Sequence, residues 1–356
     1  MSVLFIPFMD IRGQSPRWRA FWPAKALGMA GVETRCIPWQ RCRRTDIEWA
    51  TVTVFERPAN ALVRPWWRDG PWWGALRRRR LQSLWDAAKA RGSVGYELDD
   101  LVFVPGHERG RADVTQWQIE HLRRADFLLT STETLRGHLL EFHERVFTLP
   151  NCLDTEGFTP PPGGTDRSPL RVGWACGATH GEDEPLFLLI AEALAKRLGD
   201  SIELLLWGRP SEAVMRALRC LPSPSRLLPL CLWSEVPRRL AEFDINLIPL
   251  ADTPLNACKS AVHWIEAAAL GIPSVASPTG EFPEVIRDGE SGFLARHPEE
   301  WAEHVATLIE SPERRRRMGD TARAEVLAKR TLSQQGPMLR AILASVGGSG
   351  ARSASQ

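Results

Sequence analysis

Residues 244–250 read Asp-Ile-Asn-Leu-Ile-Pro-Leu, residues 256–271 read Asn-Ala-Cys-Lys-Ser-Ala-Val-His-Trp-Ile-Glu-Ala-Ala-Ala-Leu-Gly, and residues 272–277 read Ile-Pro-Ser-Val-Ala-Ser. The first and last pieces are short apolar runs that are typical of buried strands. The middle piece predicts a helix that starts around Asn256 and stops at Gly271, where a glycine suits a C-terminal cap. Strand, helix and strand in this order predict one β-α-β unit of a parallel sheet.

The same alternation of short apolar runs and helical-period segments extends along most of the chain in two series. The prolines and glycines of Thr-Pro-Pro-Pro-Gly-Gly-Thr-Asp-Arg-Ser-Pro at 159–169 separate the two series, because they sustain neither periodic structure. The predicted strands are 3–8, 32–38, 50–55, 94–98, 127–130 and 146–149, then 171–175, 202–207, 227–232, 245–249, 273–276 and 292–295.

This pattern predicts an α/β protein with two Rossmann-like, doubly wound domains that face each other across a cleft, where ligands bind beyond the carboxyl ends of the strands. The predicted parts are an N-terminal domain at 1–160, a linker at 161–169, a second domain at 170–326, a C-terminal helix at 327–345 that packs back on the first domain, and a disordered tail at 346–356.

Composition restricts the class of protein. The 356 residues are 44% hydrophobic and 25% charged with a formal net charge of +2, so we expect a folded globular chain without a general affinity for polyanions. Seven scattered cysteines, none in a Cys-x-x-Cys pair, predict reduced thiols, a cytoplasmic location and no zinc site. We expect neither a signal peptide nor a transmembrane helix, because no apolar run is long enough.

Polar residues at the predicted start of the helix at 256–271 indicate an anion site. The free backbone N–H groups and the dipole of a helix start attract phosphate, and Lys259 in the first turn adds a full positive charge. Glu266 lies seven residues further, on the same face and about 10 Å along the axis, so its carboxylate could hold both hydroxyls of a ribose. The alternative is a solvated Glu-Lys face.

The residues that follow extend this pattern. Residues 277–294 read Ser-Pro-Thr-Gly-Glu-Phe-Pro-Glu-Val-Ile-Arg-Asp-Gly-Glu-Ser-Gly-Phe-Leu. Together with residues 244–276, this run resembles the nucleotide-binding half of GT-B glycosyltransferases, specifically the large retaining family (group 1, family 4-like) that includes many bacterial polysaccharide and lipid-linked sugar transferases.

The resemblance implies a GT-B fold and a nucleotide-sugar donor as substrate, with no metal and no other cofactor. It places Asn256, Lys259, Ser260 and Glu266 at the donor, with Lys259 facing the pyrophosphate, and it places Gly280 and Glu281 in the donor-binding turn. Ser260 is also a candidate helix cap. One departure stands at Cys258, where the family usually has a glutamate that approaches the donor sugar.

A second donor-binding loop is predicted after the strand at 171–175. Gly177 would let the backbone approach a ligand, and Thr179 and His180 would present polar groups at a helix start, as in related transferases with a Gly-x-Thr-His run. A solvated loop histidine is the alternative for His180.

In the first domain, the loop after the first strand resembles the first loop of the GT-B acceptor domain. The resemblance implies that Gly13 faces the cleft and that Ser15, Arg17 or Arg19 touches donor phosphate or acceptor. A basic surface helix is the alternative for these arginines.

Glu-Leu-Asp-Asp at 97–100 closes another predicted strand. A metal-binding Asp-x-Asp belongs to a transferase class with a different domain layout, so we reject a metal site. The resemblance implies that Asp99 or Asp100 binds a sugar hydroxyl or stabilises the reacting centre, and a carboxylate that caps the next helix is the alternative.

The segment 64–85 contains six arginines and five tryptophans. Indole rings and arginines favour lipid headgroups, so this segment could dock the protein at the inner face of a membrane. Stacking on a nucleic acid, which we consider less favoured, and a helix with tryptophans in the core are the alternatives.

The resemblance implies a glycosyltransferase that moves a sugar from a nucleotide-sugar donor to a saccharide or lipid-linked acceptor, in polysaccharide biosynthesis. The resemblance implies retention of anomeric configuration, with Lys259 stabilising the leaving phosphate and Asp99 and Asp100 as further catalytic candidates. The alternatives are an inactive nucleotide-sugar-binding subunit, a nucleotide-sugar epimerase, and a transferase that acts on DNA or protein.

Overall fold

The computed structural model describes residues 1–10, 13–63, 71–107, 111–160, 167–177 and 181–347. The chain divides into two compact units. The first unit comprises Met1–Asp154, Cys258–Ser260 and Thr331–Gln356, and the second comprises Thr155–Ala257 and Ala261–Arg330.

The first unit is built on a parallel sheet. Its strands are β1 (Ser2–Pro7), β2 (Glu33–Cys36), β3 (Val52–Glu56), β4 (Ser93–Glu97), β5 (Phe127–Thr130) and β6 (Val146–Thr148). Its helices in the first 154 residues are α1 (Gln14–Pro16), α2 (Trp22–Met29), α3 (Arg44–Trp49), α4 (Pro71–Arg91), α5 (Ala112–Arg124) and α6 (Glu133–Leu139), with a π-helical turn at Arg17–Phe21 between α1 and α2.

The strand order in this sheet is β2-β1-β3-β4-β5-β6, and every pair is parallel. In this sheet β2 lies on one side of β1, and β3 to β6 follow one another on the other side. The carboxyl ends of β1 and β3 therefore flank the topological switch point, which is where open α/β sheets bind ligands.

The second unit repeats this plan with a different order. Its strands are β7 (Leu170–Cys176), β8 (Ile202–Gly208), β9 (Ser225–Leu228), β10 (Ile245–Ile248), β11 (Ser274–Ala276) and β12 (Phe293–Leu294). Its helices are α7 (Glu184–Leu198), α8 (Glu212–Leu218), α9 (Val236–Leu240), α10 (Pro254–Ala257), α11 (Val262–Ala269), α12 (Phe282–Val285), α13 (Pro298–Glu310) and α14 (Pro312–Lys329). The order β12-β11-β10-β7-β8-β9 is again parallel throughout, and its switch point lies between β7 and β10.

The structure confirms all twelve predicted strands as strands, because each overlaps one of β1 to β12. The boundaries differ most at 227–232, where β9 is Ser225–Leu228 instead. Pro229 follows directly and has no N–H to donate to a neighbouring strand, so the ladder ends before it.

Buried aliphatic and aromatic side chains fill the space between each sheet and its helices. In the first unit they include Val3, Phe5, Val54 and Phe127, and in the second unit Val172, Trp174, Leu206, Ile245 and Trp301.

The last helix, α15 (Leu332–Gly347), belongs to the first unit and packs against α2. Leu339 and Leu343 are completely buried in the core of that unit. The two helices approach closely at Gly336, where an added Cβ would lie 2.2 Å from the carbonyl oxygen of Ala26. A residue without a side chain is therefore required at position 336.

Gly336→Ala tests this close contact. We expect a loss of about 1–3 kcal/mol in the free energy of unfolding, because α15 must move away from α2 to accommodate the methyl group. The control is Gly137→Ala in α6, where an added Cβ meets nothing within 4 Å, so that the substitution should stabilise the protein. Equal effects of the two substitutions in urea unfolding would contradict the packing of α15 on α2.

Candidate functional site

At the switch point of the second unit, the loop after β7 starts at Gly177. Gly177 is partly buried and follows the last strand residue directly, at the position the sequence predicts. Thr179 and His180 lie outside the described residues, and their roles stay predictions.

Asp183 joins the segment after β7 to the segment after β10. Its Oδ1 accepts hydrogen bonds from the backbone N–H of Ala251 at 2.8 Å and from Asn256 Nδ2 at 2.7 Å. Asn256 Nδ2 also donates to the carbonyl oxygen of Ala251 at 2.9 Å. Asp183 and Asn256 are both buried, so the Asn256 amide group holds the loop between β10 and α11 in shape. A contact of Asn256 with the donor stays a prediction.

The predicted helix from Asn256 to Gly271 is wrong at its start. The short helix α10 ends at Ala257, residues 258–261 are not helical, and α11 begins at Val262. Lys259 therefore lies in the loop before α11, not in its first turn, and the predicted distance of about 10 Å along one helix axis to Glu266 does not apply. The predicted end is confirmed, because Gly271 has φ +72° and closes a C-terminal cap with Ile272 N–H donating to Ala267.

Glu281 accounts for part of this interruption. Its Oε2 accepts a hydrogen bond at 2.9 Å from the backbone N–H of Ala261, so this N–H does not bond to Ala257 as a continuous helix would require. Its Oε1 accepts a hydrogen bond from Arg330 at 2.5 Å. Glu281 is only 7% exposed and follows Gly280, whose φ of +65° favours glycine. Both carboxylate oxygens are thus engaged within the second unit.

Residues 258–260 group with the first unit. The Thr132 hydroxyl donates to the carbonyl oxygen of Cys258 at 3.0 Å, and Asn151 Nδ2 donates to Ser260 Oγ at 2.7 Å. These bonds hold the backbone in a non-helical course. Ser260 is not the cap of α11, because Ala261 occupies that position and makes no side-chain cap bond.

Lys259 and Glu266 differ in their exposure. Lys259 is partly exposed, and its ammonium group makes neither a hydrogen bond nor an ion pair within the part of the chain that the structure describes. Glu266 is 0% exposed in α11. The alternative of a solvated Glu-Lys face is therefore wrong for Glu266.

Gly13 lies beside the switch point of the first unit, in the turn between β1 and α1. Its N–H donates to the carbonyl oxygen of Asp10 at 3.1 Å. An added Cβ would lie 2.5 Å from Met9 Sδ, so the turn packs against that side chain and leaves little space for another residue type at position 13.

Ser15 lies between two carboxyl groups at the ends of neighbouring strands. Its Oγ is 2.7 Å from Glu56 Oε1 and 2.9 Å from Asp99 Oδ2. The second oxygen of Glu56, Oε2, accepts a hydrogen bond from the backbone N–H of Phe8 at 3.2 Å. The structure thus brings Ser15 and Asp99 together, which the sequence places in separate motifs.

Arg57 compensates the charge of the two predicted catalytic acids. One of its terminal nitrogens, Nη1, lies 2.9 Å from Asp99 Oδ1 and 3.0 Å from Asp100 Oδ2. The Arg57 backbone has φ +44°, a conformation that costs free energy for a side chain other than glycine. Its N–H donates to the carbonyl oxygen of Glu97 at 3.0 Å, which ties this strained residue to β4.

Burial raises the pKa of two glutamates in this group. The pKa of Glu56 rises to about 7 because burial and the nearby Asp99 carboxylate disfavour its charged form, against the opposing effect of Arg57 and Ser15. Burial likewise raises the pKa of Glu97, although Arg19 lies 2.6 Å away and opposes the shift. Among the described residues, no group of three or more His, Cys, Asp or Glu side chains is arranged to hold a metal ion.

The two arginines predicted at the acceptor side are buried. Arg19 pairs with Glu97 and donates to the carbonyl oxygen of Leu149 and to Asn151 Oδ1, and it is 1% exposed. The Arg17 guanidinium lies 5.0 Å from the ring centroid of Trp22 and is also buried. The alternative of a basic surface helix is wrong for both residues, and contact with an acceptor stays a prediction.

The segment 64–85 is described from residue 71 onward, as the first half of α4; its residues 64–70 and the side chains of 71–73 lie outside the described residues. Trp85 is 1% exposed, so the alternative of a tryptophan in the core is right for it. Two arginines of α4 contact other parts of the protein. Arg78 forms an ion pair with Asp113, and Arg80 donates hydrogen bonds to the carbonyl oxygens of residues 39, 40 and 42. In the described part of α4, Arg79 is exposed.

Sequence reasoning missed three residues of these two sites. Glu56 and Arg57 stand at the carboxyl end of β3, and the same rule that singled out Asp99 at the end of β4 would have found them. Asp183 stands directly before α7 and has the sequence signal of an ordinary helix cap, but its side chain makes no cap bond and binds Ala251 and Asn256 instead.

Residues 172–311 match the family model described as Glycosyl transferases group 1. The chain is 27% identical over 211 residues to a D-inositol 3-phosphate glycosyltransferase of Segniliparus rotundus. The aligned region covers 55% of this chain and 47% of that protein. The chain is also 39% identical over 67 residues to spore coat protein SA of Bacillus subtilis, and this aligned region covers 18% of each of the two proteins. The chain thus spans about half the length of the first of these curated relatives and less of the second.

Among solved structures, Anabaena HepE in complex with UDP and glucose aligns with 97% of this chain and 100% of that chain, at a TM-score of 0.68 and 14% identity. Sucrose-phosphate synthase from Thermosynechococcus elongatus aligns with 97% of this chain and 99% of that chain, at a TM-score of 0.66 and 14% identity. At this identity the likeness concerns the fold.

The bridge from Ala261 through Glu281 to Arg330 can be tested by substitution. Glu281→Ala should reduce the free energy of unfolding by about 3 kcal/mol, because it leaves a buried N–H and a partly buried guanidinium without their acceptor. Glu281→Gln keeps an acceptor for Ala261 and should cost less.

The measurement is urea unfolding followed by tryptophan fluorescence. Glu290→Ala serves as the control, because the Arg287–Glu290 pair is exposed and should contribute less than about 1 kcal/mol. A Glu281→Ala protein as stable as the Glu290→Ala protein would show that the bridge does not hold the loop.

Proposed function

The chain has a GT-B fold with a glycosyl transferases group 1 domain at residues 172–311, and from this premise we propose that it is a glycosyltransferase that uses a nucleotide-sugar donor. Uridine is the first base to test, because the structurally similar HepE was solved with UDP and with UDP-glucose. The same premise makes a saccharide or a lipid-linked glycan the proposed acceptor.

One observation carries this proposal. Lys259 presents an uncompensated ammonium group, within the described part of the chain, three residues before α11 begins. The N-cap of α11, Ala261, supplies no side-chain acceptor for the first turn of that helix. A helix start with its positive dipole end and a neighbouring cation attract a diphosphate. The proposed role of Lys259 therefore survives the correction of the helix start.

The proposed reaction proceeds with retention and without a metal. The bond between the anomeric carbon and the diphosphate oxygen breaks, and the negative charge that develops on this oxygen is stabilised by Lys259 and the start of α11. The acceptor oxygen bonds to the anomeric carbon on the same face, and its proton passes to the departing diphosphate. In this scheme Glu266 holds the ribose, and Asp99 and Asp100 bind hydroxyl groups of sugar.

Cys258 favours a second candidate function. Its side chain is completely buried, and burial raises the pKa of its thiol to about 12, so it is neutral at physiological pH. It stands where the family resemblance places a glutamate that contacts the donor sugar. A protein that binds a nucleotide sugar without transferring it is therefore the second candidate, and turnover distinguishes the two.

Peripheral contact with a membrane through residues 64–85 is a further part of the proposal. Its support among the described residues is the exposure of residues 74–76, Arg79 and Arg80 in α4. No described helix has both the length and the hydrophobicity that crossing a bilayer requires.

Lys259→Ala tests the proposed donor site. We expect the affinity for UDP to fall about 10- to 100-fold, because one charge-assisted contact to phosphate is lost. Transfer from UDP-sugars should fall at least as far, because charge on the leaving diphosphate increases in the transition state. Calorimetry measures binding, and release of UDP in the presence of oligosaccharide acceptors measures transfer.

Lys196→Ala is the matched control, because Lys196 is an exposed lysine at the end of α7 in the second unit. A Lys259→Ala protein that binds UDP like the Lys196→Ala protein would rule out the proposed phosphate contact. Nucleotide binding without any turnover in the unsubstituted protein would instead favour the second candidate function.

A further inference from the structure

Ser15 cannot form hydrogen bonds with both Glu56 and Asp99 if both carboxyl groups are ionised. The Ser15 hydroxyl lies within hydrogen-bond distance of one carboxyl oxygen on each side, at 2.7 Å and 2.9 Å. A hydroxyl carries one hydrogen, so it can donate to one of these oxygens only. The other short contact requires a proton on the carboxyl group, which then donates to the hydroxyl oxygen.

The surroundings decide which carboxyl group carries this proton. Glu56 is 0% exposed, and burial disfavours the charged form of a carboxyl group. Asp99 is 15% exposed and forms an ion pair with Arg57 at 2.9 Å, which favours its charged form. The proton therefore belongs on Glu56 Oε1, which donates to Ser15 Oγ, while the Ser15 hydroxyl donates to Asp99 Oδ2.

The other oxygen of Glu56 agrees with this assignment. Oε2 accepts a hydrogen bond from the backbone N–H of Phe8 at the carboxyl end of β1. A protonated carboxyl group keeps one oxygen as an acceptor and uses the other as a donor, so both contacts of Glu56 are satisfied at once. These residues lie at the switch point of the first unit, where ligands of open α/β sheets bind.

We propose that Glu56 is held protonated and that it acts through Ser15 to fix Asp99 as a charged acceptor of hydrogen bonds. The proposal rests on the proposed function, in which Asp99 binds a hydroxyl of the sugar substrates. Glu56 and Ser15 are then positioning residues that set the direction of a three-member hydrogen-bond chain. When Glu56 loses its proton, the hydrogen-bond chain has one hydrogen fewer. The Ser15 hydroxyl then donates to Glu56 instead of Asp99.

Several other groups face Glu56 and modify its charge state. The pKa of Glu56, raised to about 7, places the loss of the proton near neutral pH. Glu56 in turn contributes to the raised pKa of the Cys36 thiol, after burial as the main cause. The described charged and titratable groups around it are Asp99, Glu97 and Tyr96 from β4 and its end, Arg57 at the end of β3, and Cys36 from β2.

The sign of the effect on stability follows from linkage. The pKa of Glu56 in the folded protein lies above its ordinary value of 4.5, so the folded state binds the proton more tightly than the unfolded state between these pH values. The protein should therefore lose stability as the pH rises from about 4.5 through about 7. Glu56→Gln removes this loss, because glutamine cannot ionise.

The experiment compares the unsubstituted protein with Glu56→Gln, Ser15→Ala and Ser15→Thr. Carbon NMR of glutamate carboxyl groups should reveal one signal with a midpoint near pH 7 that is absent from the spectrum of Glu56→Gln. The kcat/KM for transfer should fall at least about tenfold between pH 6 and pH 8.5 in the unsubstituted protein, and this fall should disappear in Glu56→Gln.

The serine variants test whether the Ser15 hydroxyl links Glu56 to Asp99 in the hydrogen-bond chain. Ser15→Ala should lower kcat/KM about tenfold at pH 6, and Ser15→Thr, which keeps the hydroxyl, should restore most of it. Glu33→Gln is the matched control, because Glu33 is exposed on β2 of the same sheet and its substitution should alter neither the pH profile nor the melting temperature.

A midpoint for Glu56 near 4.5 in the NMR titration would overturn the proposal, as would a pH profile of Glu56→Gln identical to that of the unsubstituted protein. The NMR titration needs no turnover. A protein that transfers no sugar while Glu56 titrates near pH 7 would thus contradict the proposed function and leave the protonated state of Glu56 supported.

Discussion

Both units depend on one constraint, which is that every strand in their sheets is parallel to its neighbours. All strands of a sheet then end at the same edge, so the residues that follow β1, β3 and β4, or β7 and β10, are brought together although they are far apart in the sequence. Backbone groups and charged side chains at such an edge must find partners within a small volume. The first unit meets this requirement with Arg57 and Ser15 between Glu56, Asp99 and Asp100, and the second with Asp183 between two loops.

The sequence alone predicted the architecture well, because the pattern that specifies it is local. Apolar runs bounded by turns identified all twelve strands, and Gly271 marked the end of α11. The group 1 family model covers residues 244–295, and so confirms the resemblance that those residues carry. The order of strands, and hence the position of the switch points, was not predicted from the sequence, because it depends on which strands pair across the sheet.

The start of α11 could not be predicted in the same way, because contacts between distant residues determine it. The sequence 256–271 contains no proline and no glycine before Gly271 that would interrupt a helix. Glu281, twenty residues away, nevertheless takes the N–H of Ala261, and Thr132 and Asn151 bind the backbone carbonyl of Cys258 and the hydroxyl of Ser260. Tertiary hydrogen bonds override local propensity here. The buried state of Arg19 is a similar case, because an arginine in a helical segment is expected to face solvent unless a buried partner, here Glu97, is known.

The charges of the two switch points argue for different partners. At the end of β4, Asp99 and Asp100 share the guanidinium group of Arg57, and their carboxylate oxygens accept hydrogen bonds, so this edge suits neutral hydroxyl groups. Before α11 the situation is reversed, since Lys259 is a cation without a counter-charge among the described residues. A nucleotide sugar has both chemistries in one molecule, an anionic diphosphate and an uncharged, hydroxyl-rich ring. For the nucleotide-sugar donor that we propose, the Lys259 loop therefore suits the diphosphate, and the carboxylates after β4 suit hydroxyl groups.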